Sequence, residues 1–297
     1  MKIEEIRTIG VAGAGSMGAG IIQLAAQSGF EVKVVDVSDA VWARAQKAIA
    51  KSLERMLAKE KITAGQVKEA HARISFSTDV NTLKDVPFVF EAVFEAVGVK
   101  KEFFAKLDAV AWDDTVYATN TSSISITEMA SLVKRPAKFV GMHFFNPVPV
   151  MKLVEVIPSL QTEQETTDLA LAMAAKLGKT AITCKDTPGF VVNRLLVPYM
   201  LDAVRLLESG VATAQDIDTA MKLGAGMPMG PFELMDFTGV EIAYHVGNIF
   251  FEYTKEGRFA PPSLIQKMVK AGYLGKKTGK GFYDYPAKPP QEGGAVR

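Results

Sequence analysis

The segment Gly13-Ala14-Gly15-Ser16-Met17-Gly18 sits between a short apolar run, residues 6–12, and a helical pattern carried by Ile21, Ile22, Leu24 and Ala25 up to Gly29. A second run, Glu31 to Val35, follows and ends in Asp36. Few folds accept this order of strand, glycine turn, helix, strand and acid. It predicts the opening unit of a doubly wound α/β sheet whose first turn receives a dinucleotide. Gly13 makes the tight turn, Gly15 lets backbone approach a pyrophosphate, and Gly18 lets helix and strand pack closely. Ser16 and Met17 open the helix, whose N–H groups face the phosphates. Asp36 lies 21 residues past Gly15. There it would accept hydrogen bonds from the adenine ribose and repel a 2′-phosphate, which favours NAD over NADP.

At 297 residues the chain suits two domains better than one core. Further strand signals fall at 72–78, 87–93, Thr115–Thr119, 138–142, 153–157 and 180–184, with helical patterns between them. After Lys185-Asp-Thr-Pro-Gly189 the strand signals stop and the pattern is helical throughout. Helices are expected over 190–208 with a kink at Pro198, from a capping box at Thr213-Ala-Gln-Asp216 to Gly224, over 231–237 and 239–254, and near 263–271. The fold class expected is therefore α/β, a Rossmann-type dinucleotide-binding domain over 1–188 followed by a smaller all-helical domain over 189–285. A polar tail rich in proline and glycine, 286–297, is expected to be disordered.

Two further stretches carry chemistry. Small polar side chains, Asn120-Thr121-Ser122-Ser123, stand just past the carboxyl end of a strand, where open α/β sheets bind ligands. They read equally well as helix caps. His143-Phe-Phe-Asn-Pro-Val-Pro-Val-Met-Lys-Leu-Val-Glu155 is flanked by apolar runs and broken at Asn146–Pro149. A hairpin turning near Pro149 sets His143 opposite Glu155. One histidine in a buried strand is ordinarily a core residue, but an opposing carboxylate would hold one ring nitrogen and leave the other to move a proton.

Charge and cysteine usage narrow the class. Lys+Arg 34 against Asp+Glu 33 leaves +1, so no bulk basic field calls for nucleic acid or a membrane surface. No run reaches the ~20 apolar residues of a spanning helix. A single cysteine, Cys184, excludes an internal disulfide and fits a reducing, cytoplasmic setting. Three histidines far apart give no support to a metal site, and none is expected. Residues 41–62 read as one long helix with Trp42, Ala45, Ile49, Leu53 and Met56 on one face. Lys47, Lys51, Arg55 and Lys59 recur on another, near Ser52. Such a stripe is a solvated face, or a rail for a phosphorylated substrate; composition does not choose.

Taken with Asp186-Thr-Pro-Gly-Phe-Val-Val-Asn-Arg194, Gly226-Met-Pro-Met-Gly-Pro-Phe-Glu-Leu234 and Gly275-Lys-Lys-Thr-Gly-Lys-Gly-Phe-Tyr283, these stretches resemble the 3-hydroxyacyl-CoA dehydrogenase family over nearly the whole chain, nearest the short bacterial 3-hydroxybutyryl-CoA dehydrogenases. The resemblance implies a Rossmann-type domain plus a helical dimerisation domain, and an NAD-dependent interconversion of (S)-3-hydroxyacyl-CoA and 3-oxoacyl-CoA. It makes His143 the base and Glu155 its orienter, with Ser122 and Asn193 contacting the reacting part of the substrate and Asn146 a further polar contact. Glu95, Lys100, Asn120, Ser122, Asn146 and Lys277 match cofactor-contacting positions, and Ser52 and Lys59 match coenzyme A contacts. It further implies an acyl-CoA partner and a homodimer. At Ala96-Val97-Gly98, relatives often carry a more polar, helix-forming segment, which bears on how Glu95 and Lys100 are held. A dehydrogenase of a small hydroxy or sugar acid, or a silent nucleotide-binding protein, would use the same opening unit with a different pocket or damaged site residues.

Overall fold

The computed structural model describes residues 1–286; the rest of the expected tail, 287–297, lies outside the described residues. Apolar strands and amphipathic helices alternate from the start: β1 (Thr8–Ala12), α1 (Ser16–Gln27), β2 (Glu31–Val35), α2 (Asp39–Ala58), α3 (Ala64–Ala72) and β3 (Ile74–Ser77). Then come β4 (Phe88–Glu91), α4 (Val97–Val110), β5 (Val116–Thr119), α5 (Ile126–Ala130), β6 (Phe139–Phe144), β7 (Leu153–Pro158), α6 (Gln164–Lys176) and β8 (Thr180–Thr183). One eight-stranded sheet takes the order β3-β2-β1-β4-β5-β6-β7-β8. Neighbours are parallel except β6 and β7, which run antiparallel. This is the Rossmann-like α/β fold expected from the sequence. The strand order reverses between β1 and β4, so the crevice outside their carboxyl ends is the place where such sheets take ligands.

Strand parity sorts the side chains into two cores. Val11, Val34, Phe90, Ala118, Met142 and Val156 point to one face, packed with Ile21, Ile22 and Ala25 of α1 and Ala170 and Met173 of α6. Val89, Tyr117, Phe139 and Ile157 point to the other, packed with Phe104 and Leu107 of α4 and Ile126 and Met129 of α5. A sheet buried on both faces has no polar alternation to read, which is why its strands appear as continuous apolar runs. Each fully buried Phe or Ile contributes roughly 1.5–3 kcal/mol of transfer free energy.

Most element limits follow local chemistry. Ser38 accepts from the Val41 amide at 3.4 Å and starts α2 two residues before the expected Val41. The helix ends at Ala58, not Ile62, because a second helix, α3, is nucleated at once by a complete capping box between Thr63 and Gln66. No helix is expected there from apolar periodicity.

A second compact unit begins at Val191. It is helical: α7 (Val192–Glu208, with Pro198 inside), α8 (Ala214–Gly224), α9 (Pro231–Thr238), α10 (Val240–Thr254) and α11 (Ser263–Lys270). Its core gathers Val197, Leu201, Val204, Phe232, Met235, Phe250, Phe259 and Ile265. Thr213 caps α8 by accepting from the Asp216 amide at 3.2 Å, but the reciprocal half of the expected box is missing. The Asp216 carboxylate instead accepts the Thr213 hydroxyl at 2.6 Å. Two buried acids tie down the chain's last described segment: Asp218 accepts from the Tyr283 hydroxyl at 2.7 Å, and Asp236 from the amides of Phe282 and Tyr283 at 2.9 Å each.

Candidate active site

The histidine–glutamate pair follows from register. β6 and β7 pair with His143 directly across from Glu155, so both side chains leave the same face of the sheet. Nδ1 of His143 lies 2.7 Å from Oε2 of Glu155, and both residues are buried, His143 at 6% and Glu155 at 0% exposure. An ionised carboxylate only accepts, so Nδ1 carries the hydrogen and Nε2 presents its lone pair. Among the described residues Nε2 makes no hydrogen bond. The rings of Phe145 and Phe190 stand 4.6 and 5.4 Å from the imidazole, centroid to centroid, which fixes its plane and keeps water from its faces. Asn146 is exposed on the connection that follows. That connection is pinned from below by Lys179, whose ammonium donates to the carbonyls of Val148 at 2.6 Å and Met151 at 2.7 Å. Burial pulls the Lys179 ammonium below the usual lysine range.

The glycine loop meets the steric demands of a dinucleotide site. Gly13 has φ +90°, and a Cβ there would lie 2.4 Å from the Ala92 carbonyl oxygen. A Cβ on Gly18 would meet the Gly13 carbonyl oxygen at 1.8 Å, so neither position takes a side chain. Gly15 has nothing within 4 Å of its would-be Cβ, leaving the backbone at the start of α1 open to a large anion. Ser16 and Met17 form the first turn of α1. Asp36, just past β2, accepts from the Ala14 amide at 2.5 Å and the Val37 amide at 2.6 Å, so its carboxylate stands against the loop. These residues fit NAD.

Between the glycine loop and the histidine, the carboxyl ends of β1, β4 and β5 are in register, Ala12 beside Glu91 and Glu91 beside Thr119. Glu95 gathers the next loop: its Oε1 accepts from the Ser122 amide at 3.1 Å, the Ser123 hydroxyl at 3.2 Å and the Thr121 hydroxyl. Burial works to raise the Glu95 carboxyl, but the Lys100 charge and the bonds from Thr121, Lys100 and Ser122 outweigh it and hold it below the usual carboxylate range. The Lys100 ammonium is buried between Glu91 at 2.6 Å and Glu95 at 3.1 Å. Asn120 spans two strands, its Oδ1 accepting from the Phe144 amide at 2.9 Å, one residue from the histidine.

The remaining expected positions fall on α2 and in the second unit. On α2, Ser52 is half-buried, while Lys47, Lys51 and Arg55, with Lys59 just past the helix end, are exposed and form no ion pair among the described residues. In the second unit Asn193 occupies the first turn of α7, half-buried, and Lys277 is paired with Glu241.

Family models decide what this arrangement belongs to. The model described as the 3-hydroxyacyl-CoA dehydrogenase NAD-binding domain matches residues 8–187, and that family's C-terminal domain matches residues 189–285. The chain belongs to the 3-hydroxyacyl-CoA dehydrogenase family. It is 44% identical over 284 residues to a 3-hydroxybutyryl-CoA dehydrogenase of Mycobacterium tuberculosis, covering 95% of this chain and 99% of the relative. It is 45% identical over 287 residues to the mitochondrial hydroxyacyl-coenzyme A dehydrogenase of Homo sapiens, covering 94% and 91%. The crystal structure of an (S)-3-hydroxybutyryl-CoA dehydrogenase from Ralstonia eutropha superposes with a TM-score of 0.92 at 43% identity, over 95% of this chain and 99% of that one. As in that family, the first unit is an NAD-binding domain and the chain an NAD-dependent oxidoreductase.

Three residues that brace the loops around this site are given no role by the sequence. Asp186 caps α5, accepting from the Ser125 hydroxyl at 2.7 Å and the amides of Ile126 and Thr127 at 3.0 and 2.8 Å. Lys179 and Glu91 were equally silent. A charge ending an apolar strand, as Glu91 does in Pro87-Phe-Val-Phe-Glu91, was the one available signal.

Proposed function

We propose that the chain interconverts (S)-3-hydroxybutyryl-CoA and acetoacetyl-CoA, with His143 as general base and acid and Glu155 as its orienter. The observation that carries this reading is the buried 2.7 Å pair of His143 and Glu155, two strands from the glycine loop's crevice. Nε2 of His143 takes the substrate's hydroxyl proton as the carbon–oxygen bond becomes a carbonyl. NAD, when bound, accepts the hydride that leaves the same carbon. Glu155 keeps Nδ1 protonated and stabilises the imidazolium that forms. Ser122 and Asn193 donate to the reacting oxygens and Asn146 adds a polar contact. Asp36 selects the adenine ribose; Glu95, Lys100, Asn120 and Lys277 complete the cofactor site, Lys100 and Lys277 through the carboxylates they pair with.

Ser52 and Lys59 hold the coenzyme A portion, with the basic row of α2 as a rail for its phosphates. Residues 1–188 carry the cofactor, and residues 189–285 serve substrate enclosure and a homodimer. Leu195, Val211, Leu223 and Phe237, all more than 60% exposed, support that surface. The protein acts in the cytoplasm, in keeping with its unpaired Cys184. The test is turnover with NADH of acetoacetyl-CoA against acetoacetate, which lacks the coenzyme. A strong preference for the thioester is expected; equal use of the free acid would overturn the acyl-CoA reading in favour of a small hydroxy acid.

A further inference from the structure

Glu91 is a fully buried carboxylate that the reaction does not use. It accepts three hydrogen bonds: from the Lys100 ammonium at 2.6 Å, the Thr119 hydroxyl at 2.6 Å and the Val93 amide at 2.8 Å. These donors are not scattered. Val93 stands at the start of the segment that leaves β4, Lys100 stands in the first turns of α4 at its end, and Glu95 lies between them. One carboxylate therefore clamps both ends of the stretch that carries Glu95.

Little else holds that stretch. Phe94 is 77% exposed, Ala96 gives α4 no side-chain cap, and a Cβ placed on Gly98 in the first turn would meet nothing within 4 Å. This is the Ala96-Val97-Gly98 departure noted in the sequence, where local helix-starting chemistry is weak. The Lys100 ammonium, 1% exposed, needs a counter-charge, and of its two partners only Glu91 is immobilised on a strand. The chain of contacts then runs outward: Glu91 fixes Nζ of Lys100, Nζ fixes Oε2 of Glu95, and Oε1 of Glu95 gathers Thr121, Ser122 and Ser123.

We infer that Glu91 is a positioning residue for the dinucleotide crevice, acting through Lys100 and Glu95 to set the loop that bears Ser122 before ligand arrives. The inference rests on the proposed function for the roles of Ser122 and Glu95. Because Glu91 acts through Glu95, the two substitutions cannot have independent effects. Their side chains share no hydrogen bond, so coupling between them reports the relay through Lys100.

The experiment is a double-mutant cycle with Glu91→Gln, Glu95→Gln and the pair, reading NADH affinity by fluorescence titration alongside kcat and KM for acetoacetyl-CoA. Glu91→Gln is expected to weaken NADH and lower kcat by roughly tenfold each, the lower end of what loss of a supporting partner costs. KM for acetoacetyl-CoA should stay within about threefold, since the coenzyme contacts on α2 are untouched. On the Glu95→Gln background the same change should add less than about twofold. Losses that multiply in full would overturn the relay and leave Glu91 a stabiliser of the sheet; so would wild-type NADH affinity in Glu91→Gln. If Glu91→Gln does not fold, Thr119→Val removes one of the clamp's hydrogen bonds while leaving every charge paired. It should shift NADH affinity in the same direction, with no further effect beside Glu95→Gln, and full additivity there overturns the relay equally. Should the wild type fail to reduce acetoacetyl-CoA, the functional reading fails, while the NADH cycle still decides the role of Glu91.

Discussion

Replacing Glu155 by glutamine keeps the volume of the side chain and removes its charge. In the wild type the carboxylate and the imidazole are 2.7 Å apart and both buried, so the imidazolium formed during proton transfer is stabilised at close range with little water to screen it. At an effective dielectric of about 20 and a charge separation near 4 Å, that interaction is on the order of 4 kcal/mol. Each 1.36 kcal/mol of barrier is about tenfold, so kcat should fall by roughly 10³. A second effect acts in the same direction. The amide can turn its NH₂ toward Nδ1, which forces the ring hydrogen onto Nε2 and presents the wrong tautomer to the substrate. NADH affinity should stay within about twofold, because neither effect reaches the glycine loop. The assay is steady-state NAD reduction with (S)-3-hydroxybutyryl-CoA, the direction in which the imidazolium forms, with NADH titrated by fluorescence. A kcat within tenfold of wild type, or lost NADH binding with catalysis intact, would refute the assignment.

Asp36→Ala removes the carboxylate that stands against the glycine loop. NADH should weaken about ten- to a hundred-fold, the worth of charge-assisted hydrogen bonds to the ribose, and discrimination against NADPH should relax; an unchanged NADH-to-NADPH ratio would put selectivity elsewhere. Burial, with the nearby charges of Glu155 and Asp186, pushes the Cys184 thiol up to about 11. Its alkylation by iodoacetamide in the folded protein should therefore rise about tenfold per pH unit from 8 to 10, where an ordinary thiol with pKa about 8.5 levels off above pH 9. A plateau near pH 9 would contradict that environment. Lys59→Ala should raise KM for acetoacetyl-CoA and leave kcat and NADH affinity near wild type; a loss confined to kcat would argue that α2 does not bind the coenzyme.

Much of this was legible because its signals are local. The glycine turn and Asp36 dictate the β1–α1–β2 unit within 30 residues, and the break at Asn146–Pro149 sets the β6–β7 register that joins His143 to Glu155. Apolar runs marked the strands, although a sheet covered on both faces hides which side each residue takes. Helix α3 was missed for a different reason: its capping box is local, but only Ala70 of its residues is buried, so apolar periodicity was absent. Partners remote in sequence carried no signal at all. Asp186 reaches α5 some 60 residues earlier, and Lys179 finds carbonyls 28 and 31 residues back. The family resemblance marks Lys100 as a cofactor-contacting position but is silent on its counter-charge; Glu91, nine residues away, is supplied by the fold.

Purified protein mixed with acetoacetyl-CoA and NADH, followed by loss of the reduced nicotinamide absorbance beside a His143→Ala control, tests the central claim most directly. The account predicts rapid NADH oxidation by the wild type and a loss of at least about 10³ in kcat in the variant, with NADH still bound. Turnover by His143→Ala at a rate near wild type, or none by folded, NADH-binding wild type, would contradict it.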